Sequence, residues 1–253
     1  MESREYSTPD AFRKNAKYVW ELNPPAGGNY GYLINEIATQ CFNHTFDWNY
    51  AHVMGHLNKH KNSGWLGCID GTDQVVCVGL IILYRWFVLQ NITKHKLYKK
   101  YDTVMVSCSD QLWMAPSDNS TFPVEIGVIY VPNGADWGGL MDRDYHVNMY
   151  DAINSHSMAD VVMERKKSKD QIAFLIKNGF DSVQNMERAH LVWHTKMKKM
   201  RVVRFKVTSM LVGNSCDSSL QRRSMPKPMM YHGIYLNVKY ENEYVLLRNT
   251  GVL

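Results

Sequence analysis

The sequence predicts an α+β fold, mainly β, and three observations carry that expectation. Runs rich in β-branched and aromatic residues lie on both sides of a stretch with longer, helical periods, so strands distant in sequence must pair, with helices inserted between them. Hydrophobic residues make up 45% and charged residues 21% of 253 positions, with Gly at 16 and Pro at 8, which suits a sizeable core and excludes collagen, coiled-coil arrays and disordered tails. No repeat, low-complexity tract or clear linker divides the chain, so residues 23–253 are expected as one domain behind a helical segment over residues 1–22.

That segment opens on Thr8, Pro9 and Asp10, a capping residue, a first-turn proline and an early carboxylate. Phe12, Ala16, Val19 and Trp20 follow on one helical face, Arg13, Lys14 and Lys17 lie on the other, and Asn23-Pro24-Pro25 ends the helix. The turn-rich PPAGGNYG stretch leaves two placements open, against its own domain or against a neighbouring copy. From Tyr30 to about Val131, the runs YGYLINEI, QVVCVG, LIILYRWFVLQ, TVMVSC and VEIGVIYV read as strands. Helices are expected between Met141 and about Met200, one of them opened by Ser168 and Asp170 and running through Ile172, Leu175 and Ile176 to Gly179. RVVRFKVTSMLVG returns to strand, and GIYLNVKY and EYVLLR form an expected hairpin around Glu241-Asn242.

Five widely spaced cysteines (Cys41, Cys68, Cys77, Cys108, Cys216) in a chain of this size point to reduced thiols in a cytosol. The polar MESREYSTPD start lacks the apolar run of a secretory signal, so the sequons at Asn43, Asn91 and Asn119 are expected to stay unmodified. Val75–Leu89 is too short for a bilayer and carries Arg85; it reads as core, and no membrane partner is expected.

His52, His56 and His60 recur every four residues ahead of Cys68, and a helix would place the three imidazoles in one row. In-line ligands over two turns do not converge on one ion, and Gly55 interrupts the helix, so a packing role is favoured and no metal is expected. Cys108 reads as an inert thiol, and no G-x-S-x-G is present. Asp142, Asp144 and Asp151 with His146 could be drawn as a carboxylate cluster, but a solvated helix start explains them more simply. Gly134, Gly138 and Gly139 in VPNGADWGG read as a turn; with no Walker loop and no G-x-G-x-x-G, the expectation is a protein that is not an enzyme and requires no cofactor.

The densest charge run holds Lys196, Lys198, Lys199, Arg201, Arg204 and Lys206 without an acid, beside Trp193, His194 and Phe205. Cations interleaved with aromatic rings suit phosphates and stacked bases, which makes a viral single-stranded nucleic-acid-binding protein, of nucleocapsid or movement type, the alternative function, with a free nucleotide as the smaller ligand. A solvated edge strand kept from pairing by its cations is the simpler account.

With 15 tyrosines and a net charge of +5, raising the pH to about 10.5 ionises about 11 phenols, neutralises much of the lysine and takes the net charge to about −16. Tyr30, Tyr32, Tyr231, Tyr235, Tyr240 and Tyr244, placed in contacts between copies, would then bury like charge, and alkali would release the contacts.

In overall size, in the amphipathic TPDAFRKNAKYVW, in its strand-rich body and many tyrosines, and in YVPNGADW with a tyrosine-proline-asparagine-glycine turn, the chain resembles the polyhedrins of cypoviruses, the occlusion-body matrix proteins of insect reoviruses. The resemblance implies a jelly-roll-like antiparallel β-sandwich that forms trimers, with Phe12, Tyr18 and Trp20 as the residues by which the amino-terminal helix docks on adjacent molecules. It also implies nucleotides as optional ligands and crystals in the host cell cytoplasm that embed virus particles and dissolve in alkali.

Overall fold

The computed structural model of the chain describes residues 15–20, 30–43, 78–107, 111–114, 125–134, 136, 139–141, 143–156, 174, 177–178, 186–206, 208–213, 229–231, 234–238, 241–249 and 251. Among them, one four-stranded sheet is built from β1 (Thr103–Ser107), β3 (Val128–Pro132), β4 (Asp144–Asn148) and β5 (Arg201–Phe205), in the order β1-β4-β3-β5. A second has the order β2-β6-β8-β7, from β2 (Gln111–Trp113), β6 (Ser209–Gly213), β7 (Met229–Tyr231) and β8 (Ile234–Val238). The helices are α1 (Tyr30–Phe42), α2 (Val78–Lys94), α3 (Met149–His156), α4 (Met186–Leu191) and α5 (Glu241–Asn249). A short 3₁₀ turn, Leu97–Lys99, follows α2, and a π-helical turn, Val192–Met197, follows α4. The α+β class stands at this level.

The first sheet is mixed, not wholly antiparallel: β4 runs antiparallel to β1 and β3, while β3 and β5 run parallel with Ile129 opposite Val202 and Val131 opposite Arg204. β3 is buried along its whole length, which explains its nearly unbroken apolar sequence VIYVP. Its Ile129 and Val131 pack with Leu140, Met141, Tyr145, Val147, Ala152 and Met200 in the main core, where each fully buried aliphatic side chain contributes about 1.5–3 kcal/mol. Met210, Val238 and Leu247 form a smaller core beneath the second sheet, and Ile92, Leu97 and Met149 a third at the end of α2.

Several expected strands are helices. In YGYLINEI, Ile34, Ile37 and Ala38 are buried at i, i+3 and i+4, the spacing of a helix face, while Gln40 on the outer side donates to Glu36 Oε1 at 3.0 Å. LIILYRWFVLQ belongs to the 17-residue α2, which buries Leu83, Trp86, Leu89 and Ile92 and leaves Tyr84 exposed. EYVLLR is α5, with Leu247 and Tyr244 turned onto the smaller core; the hairpin is β7–β8, where Tyr231 pairs with Ile234. The region expected to be helical from Met141 contains β4, an inner strand of the first sheet. The emphasis on β therefore gives way to a more even mixture. The Ser168–Gly179 helix lies largely outside the described residues, as do His52, His56 and His60. Among the described residues, no helix is long and apolar enough to cross a membrane.

Candidate functional site

β4 carries polar groups on both of its faces, at the centre of the first sheet. Strand alternation sends Asp144 and His146 to one side and Tyr145 and Val147 to the other. Asp144 and His146 are 0% and 2% exposed, and Asp151, at the start of α3, is 6% exposed. Asp144, His146 and Asp151 are thus not a solvated helix start, because β4 and the inner side of the first turn of α3 face the interior; Asp142 lies outside the described residues. Asp151 has a structural task there, accepting the backbone N–H of Gly127 at 2.6 Å and fixing the turn that enters β3.

His146 Nε2 lies 3.9 Å from Asp144 Oδ1, and the His146 ring meets Phe205 edge-on at 5.4 Å. Burial pushes the Asp144 carboxyl up to about 7, opposed by hydrogen bonding with Ser209, and burial lowers His146. Both shifts favour the uncharged forms, a neutral acid beside a neutral imidazole, over an ion pair. Acid, imidazole and hydroxyl are all present, but a nucleophilic relay places the imidazole between the other two. Here His146 Nε2 stands 3.9 Å from the Asp144 carboxyl, beyond hydrogen-bond reach, and Asp144, His146 and Ser209 are all buried.

On the opposite face, Tyr145 packs against His190 and His194 with ring centroids 4.8 and 6.2 Å away, and the two imidazoles meet edge-on at 4.1 Å. The Arg85 guanidinium lies 5.6 Å from the Tyr145 ring centroid, and His194 Nδ1 is 3.3 Å from Met200 Sδ. Among the described residues, no group of three or more histidines, cysteines or carboxylates is placed to hold a metal ion.

The basic run is dispersed by the fold. Among the described strands, β5 lies at one end of the first sheet. Arg201 donates to Glu125 at 2.6 Å; Arg204 donates to Asp136 at 2.8 Å and to the Pro132 carbonyl at 3.0 Å. Lys198 covers the Trp193 ring at 4.8 Å, Lys199 occupies a left-handed turn with φ 55°, and Lys196 is exposed. The two arginines hold loops to the sheet.

Of the YVPNGADW segment, Ala135 and Trp137 lie outside the described residues, as does Gly138 beyond it. After β3, the Asn133 N–H donates to the Phe205 carbonyl and Gly134 has φ 138°. Asp136 then accepts from Arg204 and from the Met141 N–H.

Of the residues expected to carry assembly, Phe12 lies outside the described residues. Ala16–Trp20 are not helical, because Tyr18 and Trp20 are drawn onto the end of α2. Tyr18 stacks on Trp20 at 6.0 Å, Trp20 stacks on His95 at 5.7 Å, and Lys100 Nζ donates to the Tyr18 hydroxyl at 3.2 Å. Tyr30 and Tyr32 lie in the first turn of α1, Tyr231 ends β7 and Tyr235 lies in β8, whereas Tyr240 is outside the described residues and Tyr244 is half-buried. Among the side chains whose exposure is described, the exposed phenols are Tyr84 at 40%, Tyr98 at 41%, Tyr101 at 40% and Tyr150 at 63%. Tyr98 and Tyr101 could have been found in the sequence from KHKLYKKY, which sets four lysines and two tyrosines within eight residues. Comparisons of the chain with protein families, curated proteins and solved structures return no match.

Proposed function

We propose that this chain is a structural, non-enzymatic viral matrix protein that assembles with copies of itself, as a trimer and then a crystal in the host cell cytoplasm, and embeds virus particles. The observation that carries this reading is the inversion of polar and aromatic groups. Ionisable residues that could do chemistry, Asp144, His146, His190 and His194, are sealed inside, whereas the phenols of Tyr84, Tyr98, Tyr101 and Tyr150 face outward. Large exposed aromatic side chains suit contacts between proteins, since they bury much area with few rotatable bonds and offer a hydroxyl at the rim. The resemblance of YVPNGADW and of the amino-terminal segment to cypovirus polyhedrins supports the same reading. The jelly-roll-like sandwich belongs to this proposal, with the parallel β3–β5 pair as a departure from that pattern.

Expression of the full chain alone in insect cells tests the proposal. Electron microscopy should show ordered microcrystals in the cytoplasm that dissolve as the medium passes about pH 10, where phenols ionise. A soluble monomer that stays so when concentrated would refute it. The alternative, nucleic-acid binding through Lys196–Lys206, is less well supported because Arg201 and Arg204 are engaged with Glu125 and Asp136.

A further inference from the structure

We infer that the corner between α2 and β1, centred on Lys96, Lys99, Lys100, Tyr98 and Tyr101, is a binding surface for single-stranded nucleic acid, independent of the assembly reading. Residues 94–101 contain Lys94, Lys96, Lys99 and Lys100 with His95 and no acid, and all four lysines are exposed. Tyr98 and Tyr101 are exposed between them at 41% and 40%. The backbone fixes this surface. Lys96 turns the chain at φ 52°, Lys99 N–H donates to the Lys96 carbonyl at 3.0 Å, and Lys100 N–H donates to the Leu97 carbonyl at 2.8 Å. Leu97, 7% exposed, anchors the turn in the core beside Ile92 and Met149. Lys96 and Lys99 are therefore one turn apart on a rigid support, as are Tyr98 and Tyr101.

The surface extends beyond the turn on both sides. The Met149 N–H donates to the Asp102 carbonyl at 2.8 Å, which sets Tyr150, 63% exposed, next to the Tyr101–Asp102 corner. The stacked Tyr18, Trp20 and His95 rings border it on the other side, tied down by Lys100. Cations set among exposed rings match the chemistry of a single strand, whose phosphates are neutralised by ammonium groups and whose unpaired bases stack on aromatic faces. A duplex offers no free base faces, and an acidic protein surface would gain little from the rings. The Lys196–Lys206 run lacks this combination because the rings beside it are not exposed: Trp193 and His194 are buried and Phe205 is half-buried.

The test uses the full chain and a labelled oligouridylate of about twelve nucleotides, with affinity followed by fluorescence anisotropy over about 50 to 200 mM salt. The triple variant Lys96→Glu/Lys99→Glu/Lys100→Glu should bind at least about tenfold more weakly, with a salt slope shallower by about 2, since each phosphate contact to a single strand contributes about 0.7. Lys196→Glu/Lys199→Glu/Lys206→Glu should stay within about threefold of the parent. Tyr98→Ala/Tyr101→Ala should lose affinity at an unchanged salt slope, because stacking carries no counterion release. Each variant is first shown by its melting curve to be folded. No binding by the parent, equal losses in the two charge variants, or full affinity in the tyrosine variant would each overturn the inference; the last would leave a plain polyanion patch.

Discussion

Asp144 and His146 stay buried because each keeps its neutral form, and that condition depends on pH. For Asp144 the folded value, about 7, lies above the ordinary 3.8, so the stability tied to its protonated form is complete below about pH 4 and is lost as the pH rises through 7. A shift of that size is worth on the order of 4 kcal/mol. His146 acts in the opposite sense, since its folded value lies below 6.5 and its contribution is lost as the pH falls. Asp144→Asn, which cannot ionise, should therefore gain stability over the parent between about pH 4 and 7 and hold that margin above it; denaturant melts that run parallel across this range would reject the account.

Tyr130 is a second buried acid, 4% exposed, whose phenol is raised above 10 by burial and then by the Glu125 carboxylate, with Arg201 opposing. The stability of its neutral form is present below pH 10 and lost as the pH climbs through its raised value. Tyr130→Phe should flatten the alkaline end of the stability curve, and a curve that still falls as steeply as the parent's would remove Tyr130 as a cause.

Between elements, the fit of the loop after β3 against α4 leaves no slack. Leu140 N–H donates to the Glu187 carbonyl at 2.8 Å, and a Cβ built on Gly139 would run into the backbone of Glu187 and Arg188. Gly139→Ala must push two backbones apart and is expected to destabilise by about 1–3 kcal/mol or more, read from the midpoint of urea unfolding. An unchanged midpoint would mean that the loop gives way freely.

The same scale shows what could be read from sequence. β1, β3, β5, β6 and β8 are legible because their apolar runs are short and bounded by turn residues. α2 is misread because LIILYRWFVLQ is apolar on nearly every side, so neither alternation nor a helical stripe stands out; its length, greater than a single strand's, is the clue that favours a helix. In α1, tyrosine and isoleucine give a β bias that burial of Ile34, Ile37 and Ala38 overrides. At the candidate site, cations and aromatics can be counted in sequence, but the engagement of Arg201 with Glu125 is set by residues 76 positions apart.

For the whole molecule, the proposed assembly gives the amino-terminal segment two possible seats. Tyr18 and Trp20 fill a site on their own chain at His95 and Leu97, and a copy whose segment is exchanged could fill the same site on a neighbour. Replacing residues 1–20 with a flexible tag should abolish microcrystals in expressing cells while leaving a cooperative melt, lowered by the loss of those contacts. Crystals of unchanged habit would show that the segment plays no part in assembly.

The chain passes from the first sheet to the second twice, from β1 to β2 and from β5 to β6, each time across three residues. β1 and β5 are opposite edges of one sheet, yet their continuations are hydrogen-bonded neighbours in the other, and Met114 N–H donates to the Thr208 carbonyl at 2.8 Å beside the crossing. The β2–β6 pair thus acts as a buckle across the open sides of the first sheet: a load pulling either strand away would be shared by both edges, and the two sheets should yield in one step when stretched.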